Sequence, residues 1–260
     1  MIKVEKHLVQ PGGIPVLLRH TPDGHRKPAV LVVPGGGRGF HKDWAMKAFP
    51  MDDTPFMRVY VDLPQHGDRG DPSPIRRQWL RSPVGEFIAP IIVEMRKELS
   101  LVIDYLQGRD DVDAGRIGAC GWSIGGMSVI LAIPRDRRIN SVVTVAAAQS
   151  PRLMLHKDNR GVLQWPIETP PTPEELEWLT REEDPETWGA SFYPTSLLLL
   201  HGTEDLQVPS SVSRRLYESL LPHYVEDPSR LKLIEYAGAG HRPTAEMAQA
   251  IKEWFEQTLL

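Results

Sequence analysis

The sequence predicts an α/β fold: a mostly parallel sheet of about eight strands with helices on both faces. Three observations carry that prediction. Short runs that are apolar and β-branched throughout, of which Ala29–Val33 (AVLVV) is the plainest, read as strands covered on both faces. Between these runs lie stretches whose apolar residues recur at helical spacing. The composition is 41% hydrophobic and 25% charged over 260 residues, and its 24 Pro and 21 Gly imply many sharp connections rather than a bundle of long helices.

The elements follow in order. Lys3–Val9 and Val16–His20 are short alternating runs separated by Pro-Gly-Gly, which reads as an antiparallel hairpin. Ala29–Val33 is the first buried strand, and Met57–Val61, Ile117–Gly121, Ile139–Ala146, Ser196–His201 and Lys232–Tyr236 repeat its type. Glu86–Gln107 sets Ile91, Ile92, Met95, Leu99, Val102, Ile103 and Leu106 at helical spacing, and Gly108 stops it. Ser210–Leu221 and Thr244–Leu259 are amphipathic, the latter with Met247, Ile251, Trp254 and Phe255 on one stripe. Residues 150–194 break the rhythm. They are rich in Pro, Trp, Glu and Arg, and they carry Pro170-Pro171-Thr172-Pro173 ahead of a short helical stretch, Glu174–Arg181. About 45 residues make a poor core of their own, so the chain reads as one domain over 1–260 with 150–194 as a cap- or lid-like insertion.

Composition also excludes. Thirty Lys+Arg against 34 Asp+Glu give a formal charge of −4, and no basic block stands out, so no nucleic-acid partner is expected. The single cysteine, Cys120, excludes an intramolecular disulfide framework and a multi-cysteine zinc site, and it reads as a small core residue. The N-terminal MIKVEKHLVQ alternates charge with apolar residues and does not read as a signal peptide. Apolar runs such as Ser196–Leu200 fall far short of the ~20 residues of a membrane helix. A cytoplasmic protein without a membrane partner is the expectation. His66, His156 and His223 lie far apart and no HExxH occurs, so neither a metal nor a cofactor is expected.

The chemistry is concentrated in Arg116–Met127, which holds Gly121-x-Ser123-x-Gly125 directly after a strand pattern and directly before a helical one. A strand turning sharply into a helix leaves its apex residue strained and exposed, near the positive end of the helix. The flanking glycines are needed because side chains there would collide with the neighbouring strand and helix. A serine hydroxyl is a poor nucleophile without a base and an orienting acid. Downstream, Asp205 follows the strand of Leu197–His201, with Glu204 beside it as a second carboxylate in reach, and His241 ends the small-residue loop Tyr236–Gly240. Both lie past the carboxyl end of a strand, where ligands collect in open α/β sheets. A further loop, Val33-Pro-Gly-Gly-Gly-Arg-Gly39, follows the first buried strand, and no Gly-Lys-Ser/Thr follows it, so a phosphate cradle is disfavoured.

In these residues the chain resembles the α/β-hydrolases, over essentially all of its length. Within them it is similar to the bacterial carboxylesterases related to dienelactone hydrolases and to the catalytic domains of prolyl oligopeptidases. The phrases that carry this are Val61-Asp-Leu-Pro-Gln-His-Gly-Asp-Arg-Gly70, Asp113-x-x-Arg116-Ile-Gly and His201-Gly-Thr-x-Asp205-x-x-Val208-Pro209. The resemblance implies Ser123 as nucleophile, His241 as general base and then acid, and Asp205 as the residue that fixes the histidine tautomer. It also implies an oxyanion hole formed by the Ile124 N–H and one donor from the glycine loop. Where the family has His-Gly this chain has Pro34-Gly35, so Gly36 and Gly37 are both candidates. Dienelactone hydrolases carry Cys at the nucleophile position, and Ser123 argues against that activity. Trp122 and His41, next to the serine and the glycine loop, are expected at the substrate. Lys42 reads as a pocket-lining or surface loop residue, His66 as part of a structural turn, and His201 as packing at its strand end.

The implied function is hydrolysis of small soluble carboxylic esters through an acyl-enzyme. A serine peptidase and a non-catalytic binding protein are the alternatives. Both ends of 150–194 are expected near the edge that carries Ser123. There Trp165, Trp178, Trp188, Met154 and Leu155 could wall an acyl pocket, or else anchor the segment to the sheet.

Overall fold

The computed structural model describes residues 1–37, 42–71, 84–147 and 185–260. Their strands are β1 (Lys3–Val9), β2 (Ile14–His20), β3 (Lys27–Val33), β4 (Met57–Val61), β5 (Val112–Trp122), β6 (Ile139–Val145), β7 (Ser196–Gly202) and β8 (Leu231–Tyr236). The described helices are α1 (Lys42–Ala48), α2 (Val84–Gln107), α3 (Ile124–Ala132), α4 (Ser210–Leu220) and α5 (Ala245–Leu259). The strands form one sheet in the order β1-β2-β4-β3-β5-β6-β7-β8. The β1–β2 hairpin is antiparallel, as its Pro-Gly-Gly turn predicts, and β2 meets β4 antiparallel; every other pairing is parallel.

Alternation along the buried strands divides the core in two. Ala29, Leu31 and Val33 of β3, with Leu197 and Leu199 of β7, face one layer together with α2, α3 and α4. Val30, Val32, Leu198 and Leu200 face the other, where α1 and α5 pack through Ala45, Met247, Ile251, Trp254 and Phe255. All seven apolar positions expected on α2 are buried. A fully buried aliphatic side chain of this kind stabilises the fold by roughly 1.5–3 kcal/mol, so the two layers are mutually dependent through the strands they share. Among the described residues no helix is long and apolar enough to cross a membrane.

The sheet order determines where a site can form. From β3 the chain runs through α1 to β4 on one side, then through α2 to β5 on the other. The loops that leave the carboxyl ends of β3 and β5 therefore diverge, and the crevice between them is the switch point of the sheet.

Several expectations are corrected. β5 begins at Val112 rather than Ile117, because Asp113-Ala-Gly-Arg116 continues the strand with no apolar run to signal it. β8 is an edge strand with Lys232 exposed, not a strand covered on both faces. Lys42 opens a helix and is buried, not a surface loop residue. Most of the 150–194 segment, with Met154, Leu155, Trp165 and Trp178, lies outside the described residues. Its described end forms a 3₁₀ turn at Pro185–Ser191 and rejoins the sheet at the opposite edge from Ser123: the Thr195 hydroxyl donates to the Ile139 carbonyl at the start of β6, at 2.9 Å. A connection between parallel strands must cross from one edge to the other. Trp188 accordingly sits under the Arg135 guanidinium, 5.2 Å from its ring centre, past the far end of α3. It anchors the segment there.

Candidate active site

Ser123 stands between β5 and α3 with φ 52° and ψ −121°, in a region non-glycine residues rarely occupy. The turn is closed by backbone: Ser123 N–H donates to Val145 O at 2.9 Å, and Met127 N–H to Ser123 O at 3.0 Å. A Cβ on Gly121 would fall 2.4 Å from Gly125 O, and one on Gly125 would fall 2.3 Å from Pro34 O. Each is backbone, which cannot swing aside. Strand, turn and helix thus approach so closely that only glycine fits two residues either side of the serine.

Asp205 and His241 reach Ser123 from beyond the ends of β7 and β8, across the intervening β6. Their loops are joined beyond the sheet, with Thr203 N–H donating to Tyr236 O (3.0 Å) and Glu204 N–H to Ala239 O (2.9 Å). His241 Nδ1 lies 2.7 Å from Asp205 Oδ2, and His241 Nε2 lies 3.0 Å from Ser123 Oγ. Asp205 is buried, and its Oδ1 accepts from the N–H groups of Gln207 (2.9 Å) and Val208 (2.8 Å). Burial alone would raise its pKa. Hydrogen bonds from His201 and His241, the pull of the His241 ring and the Val208 N–H outweigh it and hold the carboxyl well below the usual carboxylate range. An ionised carboxylate only accepts, so His241 Nδ1 carries the proton and its Nε2 presents a lone pair to the serine hydroxyl. Glu204 is exposed.

His201 supports this arrangement more actively than packing implies. Its Nε2 lies 2.7 Å from Val208 O and 3.4 Å from Asp205 Oδ2, and its Nδ1 lies 2.6 Å from Ser213 Oγ. A carbonyl only accepts, so Nε2–H donates and Nδ1 takes the Ser213 proton. The ring ties the Asp205 loop to α4. The sequence signal was the four-residue spacing from His201 to Asp205.

The glycine loop lies against the elbow. A Cβ on Gly35 would meet the Trp122 ring at 2.4 Å, and one on Gly36 would meet Ile124 Cδ1 at 2.3 Å. Gly37 N–H donates to His66 Nε2 at 2.9 Å. Of the two candidate donors, Gly37 is therefore committed elsewhere, and the Gly36 backbone packs beside the residue that follows Ser123. Ile124 is the first residue of α3, so its N–H has no acceptor within the helix. Trp122 is 3% exposed and lies beneath the site, its ring centre 5.3 Å from that of His241 and 4.6 Å from that of Trp44. It supports the imidazole and the loop from below. His41 lies outside the described residues. Cys120 is buried in the strand, and burial pushes its thiol pKa far up, which leaves it inert.

Elsewhere among the described residues, Glu5, His20 and Asp111 bring ligand atoms within 4.8 Å of one another. The Arg109 guanidinium already sits 3.3 Å from Glu5 and 2.7 Å from Asp111, so a cation is built into that cluster.

Comparison with known proteins agrees with this architecture. The chain is 25% identical over 264 residues to "Putative esterase YitV" of Bacillus subtilis (strain 168), covering 100% of both. Its fold superposes on TT1662 from Thermus thermophilus with a TM-score of 0.79 at 24% identity, covering 99% of this chain and 98% of that one. A "Putative Dienelactone Hydrolase" from Klebsiella pneumoniae subsp. pneumoniae MGH 78578 superposes with a TM-score of 0.69 at 16% identity, covering 99% of both chains. Residues 96–259, which include the serine elbow and the loops of Asp205 and His241, match the prolyl oligopeptidase family. With that match over more than half its length and a sheet shared with α/β-hydrolases, the chain belongs to the prolyl oligopeptidase family and has the α/β-hydrolase fold.

Proposed function

We propose that this protein is a serine carboxylesterase that cleaves small soluble carboxylic esters through an acyl-enzyme. The observation that carries the reading is the unbroken chain of hydrogen bonds from Ser123 Oγ through the His241 ring to Asp205. In the first half-reaction His241 Nε2 takes the Ser123 proton as Oγ attacks the ester carbonyl carbon. The carbonyl π pair moves onto oxygen, and the N–H groups of Ile124 and Gly36 stabilise that oxyanion. As it collapses, the C–O bond to the alcohol breaks and His241 gives the proton to the leaving oxygen. Water, deprotonated by the same imidazole, then attacks the acyl-serine, releases the acid and restores the Ser123 hydroxyl. Asp205 keeps Nδ1 protonated throughout and stabilises the transient imidazolium.

The same groups would cleave an amide, and membership of the prolyl oligopeptidase family favours a peptidase as the second reading. The full-length likeness to a protein named as an esterase favours the first. The small size of the ester rests on the sequence, which shows no long apolar lid helix in 150–194. Side-by-side turnover of p-nitrophenyl butyrate and an aminoacyl p-nitroanilide decides between them: the ester should be cleaved with the higher kcat/KM. Preference for the anilide makes the enzyme a peptidase. Turnover of neither leaves a binding protein.

A further inference from the structure

The glycine loop is flexible by sequence, yet the structure holds it from three directions. Trp122 lies against Gly35, the Ile124 side chain against Gly36, and His66 takes the Gly37 N–H. Only the last of these is a directional bond, and it comes from the turn that follows β4. His66 is 1% exposed. Its Nδ1 lies 2.8 Å from the Pro64 carbonyl, which can only accept, so the proton is on Nδ1 and Nε2 carries the lone pair that receives Gly37 N–H. Burial lowers the pKa of this histidine, against the opposing pull of the Pro64 carbonyl and of Asp62, and so favours the neutral ring.

The surrounding segment is itself fixed. The Asp62 carboxylate is buried and accepts from the Lys42 N–H at 2.6 Å, the Lys42 ammonium at 3.0 Å and the Asp68 N–H at 3.1 Å. Arg69 binds the Asp62 carbonyl at 3.1 Å and clamps Glu98 of α2 at 2.6 Å. The residues described on both sides of 38–41, Gly37 and Lys42, are thus each held by Asp62–Arg69, which is in turn tied to a core helix.

We propose that His66 is a positioning residue for the oxyanion hole: by taking the Gly37 N–H it fixes the Gly36–Gly37 peptide, and with Gly35 held against Trp122 this restrains rotation about Gly36 and keeps the Gly36 N–H of the preceding peptide aimed at the carbonyl oxygen attacked by Ser123. The inference rests on the esterase reading above and adds to it a residue that never touches substrate. A glycine pair is free to rotate its peptide, and a donor that must first reorient loses the preorganisation on which oxyanion stabilisation depends. The bond also gives the loop that opens with Pro34-Gly35 a fixed point beside the elbow.

The experiment compares wild type, His66→Ala and His66→Gln in the full chain. It reads kcat and KM for p-nitrophenyl butyrate, inhibition by an alkyl trifluoromethyl ketone whose serine adduct carries an oxyanion, and the far-ultraviolet circular dichroism and Tm. His66→Ala should lower kcat by about 10²-fold, the scale for loss of one oxyanion donor. KM should stay within about threefold and the ketone Ki should rise in step with the fall in kcat. The Gln carboxamide oxygen can accept from Gly37 N–H, so His66→Gln should recover about tenfold of the loss. A folded His66→Ala with near wild-type kcat overturns the proposal. So does a fall in kcat with ketone affinity unchanged, or a Gln variant no better than Ala. Should His66→Ala not fold, the wild-type protein decides: the ¹⁵N signal of His66 Nε2 must be that of an unprotonated ring nitrogen, and a protonated Nε2 overturns the proposal. Ser123→Ala runs alongside. Absence of Ser123-dependent turnover in wild type overturns the esterase reading and this inference together, whereas Ser123-dependent turnover indifferent to His66 overturns this inference alone.

Discussion

Asp205→Asn is the substitution whose outcome the structure dictates most fully. The change keeps shape and removes charge. Oδ1 of Asp205 accepts two backbone N–H groups, from Gln207 and Val208, while Oδ2 faces His241 Nδ1 at 2.7 Å. In the variant the carboxamide oxygen must take the Oδ1 position, since an NH₂ there would confront two donors. The NH₂ is then forced to the Oδ2 position, where it donates to His241 Nδ1. That moves the imidazole proton to Nε2, the atom 3.0 Å from Ser123 Oγ, and the ring can no longer accept the serine proton. A locked wrong tautomer costs on the order of 10⁴-fold in kcat, equivalent to about 5 kcal/mol at roughly 1.4 kcal/mol per decade. The assay is steady-state hydrolysis of p-nitrophenyl butyrate at pH 7.5, with Tm to establish that the variant is folded. Glu204→Gln, at an exposed carboxylate, should retain wild-type turnover. A folded Asp205→Asn with kcat within tenfold of wild type, or a Glu204→Gln that is the more impaired of the two, would refute the reasoning.

Two further outcomes follow from the same geometry. Gly125→Ala drives a Cβ to 2.3 Å from Pro34 O and 2.5 Å from Val33 O; overpacking of this kind costs about 1–3 kcal/mol, or roughly 2–12 °C in Tm at this chain length. Turnover should fall with it because the glycine loop is displaced, and a variant with unchanged Tm contradicts the close approach. The depressed pKa of Asp205 gives a pH signature in stability. A carboxylate whose folded pKa lies below its unfolded value near ~3.9 contributes stability fully above that value and loses it as pH falls through the folded one. The Tm advantage of wild type over Asp205→Asn should therefore persist at pH 5 and shrink below about pH 4, and an advantage undiminished at pH 2 speaks against a depressed value.

What could be read from the sequence was what local sterics and periodicity record. The spacing Gly121-x-Ser123-x-Gly125 is legible because the close approach of strand and helix excludes any other residue at its ends. Ser123, Asp205 and His241 meet because each follows the carboxyl end of a strand in one parallel sheet, and strand runs are visible in sequence. The unread part depends on contacts distant along the chain. Nothing in Val33–Gly39 shows that Gly37 donates to a ring 29 residues away, so Gly36 and Gly37 could not be told apart. Lys42 resembled a loop lysine because its partner Asp62 sits at the end of the next strand. Pocket wall and anchor were both open for Trp188 in the sequence; a connection between parallel strands returns at the opposite end of the sheet from Ser123, and there Trp188 is an anchor.

Covalent capture reports on the nucleophilicity of Ser123 itself. A fluorophosphonate offered in excess should add one label per chain, its displacement of fluoride by Ser123 Oγ readable as a single mass increment, and peptide mapping should place it on Ser123 with ester turnover abolished in proportion. Ser123→Ala should take no label and lose turnover by about 10⁴-fold or more while keeping its Tm. A label on another residue, together with a Ser123→Ala protein that still hydrolyses the ester, would contradict the account.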